Sequence, residues 1–316
     1  MYTAYVVRSI MKQKQKAILI DSSNLLHRAV WIAENVRHNV NPSYIFLTSV
    51  KKYAQMFGCT NIYSVWDKRL VRGIKNYRRQ AKQVEYKGTR DNKKNEKVFS
   101  YEDDTSELLS SVGVKNIYPG ILEADDVISW LCEKIDDQKV VVSVDQDMLQ
   151  LVDDKTIVYS PIKDVIYDHM NFEDMLGVDT DQFLRYKSLM GDKSDNLPGI
   201  DKCGPKTAIK LVKKHPTDQT LIEELGEEKL KPYFTNLKMI DLTEGHRQHP
   251  EDVELYDDQY TVLQDHQPDF DTFKELCESH GMQKVVGDIH AWRQVFDPVD
   301  INNTLESIVN KLDLHK

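Results

Sequence analysis

The chain has 316 residues, 40% of them hydrophobic and 29% charged, with a formal net charge of −9. This is ordinary globular usage, which excludes a fibre or a disordered chain, and the length suits one large domain or two moderate ones at about 100–200 residues each. The acidic balance argues against a nucleic-acid partner, but residues 68–97 carry twelve Lys or Arg against Glu85, Asp91 and Glu96, so the charge is segregated along the chain.

Cys59, Cys132, Cys203 and Cys277 are each more than seventy positions from the next, too far for a C-x-x-C zinc or redox pattern, and are expected to be reduced thiols. No apolar stretch approaches the roughly 20 residues needed to cross a bilayer, and no signal-peptide core is present, so a cytoplasmic protein without a membrane partner is expected. The opening "MYTAYVVRSI" precedes a second methionine, Met11, and the basic "KQKQK"; residues 1–16 are expected to be an N-terminal extension.

"KAILID" (16–21), "NIYSVWD" (61–67) and "KVVVSVD" (139–145) are apolar runs that each stop at an aspartate, and they read as buried strands of a parallel sheet. Between the first two, Ile45, Val50, Tyr53 and Phe57 recur at helical spacing. In "GILEADDVISW" (120–130), Ala124, Val127, Ile128 and Leu131 follow i, i+3, i+4, i+7, which predicts a helix with one core face. The fold class is therefore α/β: a mainly parallel central sheet flanked by helices over 17–180. From 181 the pattern turns helical, with "DQFLRYKSLM", a Gly/Pro-containing turn "GDKSDNLPGIDKCGP", and "KTAIKLVKKH". The stretch to 316 contains helical runs such as "TFKELCESHG" but no motif tied to chemistry.

Ligands of open α/β sheets gather outside the carboxyl ends of the strands. Asp21, Asp67 and Asp145 stand at that edge, with Asp147 after the last; Glu123, Asp125 and Asp126 open a helix there, and Asp192 and Asp195 come from the turn. Taken singly, a strand-end Asp is as often a helix cap, and an acidic helix start commonly answers the helix dipole. Nine such acids in one chain are an improbable set of caps. Converging carboxylates raise one another's pKa unless a cation compensates them, and an all-oxygen set favours Mg²⁺ or Mn²⁺ over zinc. Two ions about 4 Å apart suit phosphodiester hydrolysis.

The basic segment after Asp67 reads either as a solvated helix or as an element that contacts phosphate beside the acids. Tyr77 and Tyr86 within it are placed to stack on bases. "NLPGIDKCGPKTAIKLV" joins a Gly-Pro turn to a basic helix N-terminus, suited to phosphate but equally to a plain helical hairpin.

Six segments in order, "ILIDSSNLLHRA", the Asp67 strand end, "EYKGTRD", "EADDVISWL", "VSVDQDMLQL" and "LMGDKSDNLPGIDKCGPKTA", resemble the 5′-nucleases. These are flap endonucleases and 5′→3′ exonucleases, and the phage flap endonucleases and phage ribonuclease H type enzymes resemble this chain most. The resemblance implies a core like that of PIN nucleases, a helical arch at about 68–100 and a helix-three-turn-helix at about 183–214. It implies a magnesium-dependent enzyme that cleaves branched or 5′-ended duplex DNA, with RNA/DNA hybrids as a further substrate, and leaves 5′-phosphates.

All nine acids become metal ligands on this view, the last two in a more distant cluster. Lys87 and Arg90 take the positions that touch the scissile phosphate. Lys187, Gly204 and Lys206 contact duplex backbone, and His27 and Tyr86 contact DNA. A potassium ion at the helix-three-turn-helix, a single-stranded-DNA-binding protein as partner, and a monomeric state are also implied. Three residues depart from the family pattern: Ser22 replaces a Gly after the first Asp, His27 a stacking Tyr or Phe, and Lys202 the first Gly of a Gly-hydrophobic-Gly hairpin. Two other readings are weighed. An aspartate-based phosphohydrolase wants Asp-x-Asp at the first strand end, which "DSSN" lacks; a catalytically inactive DNA-junction binding protein would not need the full set of acids.

Overall fold

The computed structural model describes residues 16–67, 77–80 and 92–297. The apolar runs form one six-stranded sheet. β1 (Lys16–Asp21), β2 (Ile62–Val65), β3 (Lys115–Ile117), β4 (Gln138–Val142) and β5 (Thr156–Ser160) are parallel, and β6 (Val165–Tyr167) is antiparallel to β5. The order β3-β2-β1-β4-β5-β6 reverses direction at β1 and β4, so the ends of these two strands flank the crevice where ligands of such sheets bind.

Alternation along the strands divides the core. Leu19, Val65 and Val141 face one way and Ile20, Ile62 and Val142 the other. On the Ile20 side pack α1 (Ser22–Asn35), α2 (Pro42–Phe57) and α3 (Glu102–Ser111). The start of α2 has a local cause, because Asn41 Oδ1 accepts from the Ser43 amide at 2.8 Å and Pro42 takes the first turn, where no donor is missed. Its predicted face, Ile45, Val50, Tyr53 and Phe57, is buried as the spacing requires.

On the Leu19 side pack α4 (Ala124–Lys134) and then the helical half: α5 (Phe183–Met190), α6 (Pro205–Lys214), α7 (Glu227–Ile240) and α8 (Pro250–Val262). The chain then returns to the opposite face, which the sequence did not suggest. α9 (Phe270–Ser279) meets α3, and α10 (Ile289–Phe296) meets α2. Phe273 with Cys277, and Trp292 with Phe296, each lie four apart and so share a helix face that completes the Ile20-side core. Among the described residues no helix is long and apolar enough to cross a membrane.

The predicted turn after α5 is a small hairpin, Gly191–Asp192 pairing antiparallel with Leu197–Pro198. Gly191 has φ +71°, and a Cβ there would stand 2.3 Å from the Leu197 carbonyl oxygen, so only glycine fits. Lys202, where the family hairpin has Gly, keeps the left-handed conformation at φ 59° although it carries a side chain. The exposed Lys202→Gly should therefore stabilise the protein by about 0.5–1 kcal/mol in urea unfolding. A loss of stability would show that the lysine side chain makes a compensating contact.

Candidate active site at the carboxyl edge of the sheet

The register builds the site. β1 and β4 pair Ile20 with Val142, so the next residues, Asp21 and Ser143, come side by side, and Ser143 Oγ donates to Asp21 Oδ2 at 2.6 Å. Ser23 Oγ accepts from the Asp67 amide at 2.7 Å, which ties the end of β2 to the start of α1. Ser22 is buried, its hydroxyl 2.6 Å from that of Ser64, so serine fits where the family carries glycine. Asp67 Oδ1 accepts from the Ala124 amide at 3.0 Å and so holds the first turn of α4, with Glu123 and Asp125, against the same edge. Asp145 Oδ1 accepts from the Asp147 amide at 2.9 Å.

The electrostatics record the crowding. Burial pushes the Asp21 carboxyl up to about 7; the Ser143 hydrogen bond opposes the rise, and the charges of Asp67 and Asp145 add to it. Burial likewise takes Asp147 up to about 6, helped by Asp145 and opposed by Lys187. Lys187 Nζ lies 2.9 Å from both Asp147 Oδ1 and Asp192 Oδ2. Burial works against its charge, but the two carboxylates prevail and hold its pKa above the usual lysine value. At Asp192 burial is outweighed by hydrogen bonds from Ser194 and Lys187, which keep it below the usual carboxylate range.

Asp126 departs from expectation. It is 0% exposed, and Arg78, itself 1% exposed, grips it with two parallel bonds of 2.7 Å from Nη1 and Nη2. Asp126 Oδ2 also accepts from the Glu123 amide at 2.9 Å. In this arrangement it anchors α4, with both its oxygens turned to this guanidinium. Glu123 Oε2 accepts from Arg78 Nη1 at 3.0 Å, while Asp125 is half-buried on the same turn.

An oxygen-donor set of Asp21, Asp67, Glu123, Asp125, Asp145, Asp147 and Asp192 fits a hard divalent cation, since the burial of Asp21 and Asp147 calls for positive charge beyond that of Lys187. As they stand, no three His, Cys, Asp or Glu side chains among the described residues are close enough to share one ion.

A family profile described as the 5′-3′ exonuclease N-terminal resolvase-like domain matches residues 16–177, and the 5′-3′ exonuclease C-terminal SAM fold matches residues 178–277. The chain belongs to the 5′-3′ exonuclease family. It is 31% identical over 227 residues to a 5′-3′ exonuclease of Halalkalibacterium halodurans, covering 66% of this chain and 73% of that one. It is 30% identical over 234 residues to one from Buchnera aphidicola, covering 72% and 79%. The fold is that of the bacteriophage T5 5′-exonuclease described with bound divalent zinc, with a TM-score of 0.67 at 20% identity over 80% of this chain and 99% of that one. Membership of this exonuclease family makes the chain a nuclease, that is a phosphodiesterase.

For a 5′-3′ exonuclease, the expected DNA contacts fall unevenly. Lys206 is exposed on the first turn of α6, and Gly204 caps that helix with nothing within 4 Å of where a Cβ would stand. His27 is exposed on α1, and Asp195 is buried in the hairpin turn. Lys187 is corrected from a duplex contact: at 6% exposed and held by two acids, it faces the site. Tyr77 is corrected likewise, since it is buried beside His249 and Gly245 and has no face for a base. Tyr86, Lys87 and Arg90 lie outside the described residues. Sequence reasoning missed Ser143 and Arg78, the first unremarkable in its strand and the second one of twelve cations in its segment.

Proposed function

We propose that this nuclease is a Mg²⁺-dependent, structure-specific 5′-nuclease, acting on 5′ ends and flap junctions of duplex DNA and on RNA-primed duplexes, and yielding 5′-phosphates. The observation that carries the reading is the placing of Asp21, Asp67, Asp145 and Asp147 along one edge at the sheet's switch point, near enough that Asp67 and Asp145 act on Asp21 and Asp145 on Asp147, and buried enough that Asp21 rises to about 7 and Asp147 to about 6. These acids, with Glu123, Asp125 and Asp192, would hold two divalent ions, which when bound would supply the polarisation of phosphate and the activation of water that hydrolysis needs. Ser143 keeps Asp21 in place, and Lys187 restrains Asp147 and Asp192.

The start of α6, with Lys206 and the amides after Gly204, suits a duplex phosphate and positions substrate without reading sequence. Lys87 and Arg90 are proposed to neutralise the scissile phosphate. A structure of similar fold is described as a phage T5 flap endonuclease complex with DNA and metal ions, which supports both the substrate and the cofactor. A potassium ion at the 191–204 turn, Mn²⁺ as substitute, a single-stranded-DNA-binding partner, a monomeric state and a cytoplasmic location belong to the same proposal.

The test is product mapping on 5′-labelled flap, nicked and RNA-primed duplexes. Cleavage with 5′-phosphate ends is expected in Mg²⁺ and none in EDTA. Full activity in EDTA would sink the metal assignment; gel-shift binding without product in any divalent metal would favour the inactive junction-binding alternative.

A further inference from the structure

The segment from Tyr118 to Asp126, which carries Glu123 and Asp125 to the site, is gripped from 245–259, a region to which sequence attached no chemistry. Asp252 on α8 is 4% exposed and receives three consecutive amides. Its Oδ2 accepts from Gly120 at 3.0 Å and Leu122 at 3.0 Å, and its Oδ1 accepts from Ile121 at 2.9 Å. The fit is close, since a Cβ on Gly120 would stand 1.9 Å from Asp252 Oδ1. Around it, Gln259 bonds both the amide and the carbonyl of Tyr118 at 3.0 and 2.8 Å, and His246 Nε2 lies 2.6 Å from the Asp126 carbonyl oxygen.

Residues 118–123 have no strand or helix of their own to fix them. Charge-assisted bonds to three successive amides do so instead. Leu122 adjoins Glu123, so a shift at Asp252 moves the acidic turn relative to Asp67 and Asp21.

We infer that Asp252 is a positioning residue for the metal-binding acids: it holds the 120–122 loop and so fixes where the acidic turn with Glu123 and Asp125 stands at the sheet edge. This rests on the proposed nuclease reading. Groups that orient metal ligands from behind commonly change metal affinity about 10–100-fold when removed.

The experiment titrates Mn²⁺ alone into the full chain by calorimetry, without DNA, and follows flap cleavage in parallel. Asp252→Asn should bind Mn²⁺ about tenfold more weakly and lower kcat, with KM for DNA unchanged. Gly120→Ala, whose added methyl would overlap Asp252 Oδ1 and so displace the same carboxylate by a different route, gives a second variant and should act in the same direction. The double variant should be little worse than either single one. Wild-type Mn²⁺ affinity in folded variants, with only the thermal midpoint lowered, or additive effects of the two changes, would overturn the inference. A wild-type chain that binds Mn²⁺ but cleaves nothing would instead refute the nuclease reading, while the calorimetric comparison would still decide the role of Asp252.

Discussion

Asp21→Asn is expected to abolish cleavage and yet to make the metal-free protein more stable at pH 8. The Asp21 carboxyl takes its proton near pH 7 in the fold, because burial disfavours its charge and Asp67 and Asp145 repel it. In the unfolded chain it titrates near its ordinary value of 3.8. Between these values the folded state holds the proton more tightly, so the contribution of this group to stability is greatest below pH 4 and falls as pH rises to 7. Three pKa units correspond to a loss on the order of 4 kcal/mol. Asparagine carries no charge to desolvate and keeps an oxygen for the Ser143 hydroxyl. Urea unfolding in EDTA should show a gap in favour of the variant at pH 8, shrinking by more than half at pH 5. Added Mg²⁺ should then raise wild type and leave the variant nearly unmoved. A variant less stable than wild type at pH 8 would mean that the acids are compensated without metal.

How far the sequence could be read follows from which signals are local. An apolar run that ends in Asp announces both a buried strand and a polar edge, and Asp21, Asp67 and Asp145 were legible for that reason. The spacing of Ala124, Val127, Ile128 and Leu131 likewise placed α4. The EADD run could not say which acid faces where: Asp126, one turn beyond Glu123, meets Arg78 from forty-eight positions earlier in the chain. Lys187 and Tyr77 misled in the same way, because a cation or an aromatic ring looks identical in sequence whether it meets nucleic acid or its own fold. Asp252 lies 130 positions from Leu122. The return of α9 and α10 to the α2 face depends on long-range burial for which no spacing rule exists. Lys202 shows the converse, a local preference for glycine overridden by the hairpin around it.

Arg78→Met should produce the largest loss of stability of any single change considered, about 3–5 kcal/mol, because it leaves buried carboxylates without their partner. The guanidinium forks onto Asp126, touches Glu123 and donates from Nε to the Met239 carbonyl at 2.9 Å, joining α4 and α7 at one point. Methionine replaces the volume but none of these donors. Arg78→Lys restores the charge without the planar fork, and should recover roughly half of the loss or less. The informative variant is the double one. Adding Asp126→Asn to Arg78→Met removes the stranded charge that dominates the penalty, so it should regain stability even though Asp126→Asn alone destabilises. Urea unfolding of the four proteins gives the coupling directly, and independent, additive losses would show that Arg78 stabilises the fold by packing on Tyr77 and not by holding the acids. The same cycle read by Mn²⁺ calorimetry separates the two ends of the acidic turn: Arg78 and Asp126 fix its orientation from the α4 side, and Asp252 fixes it from the loop.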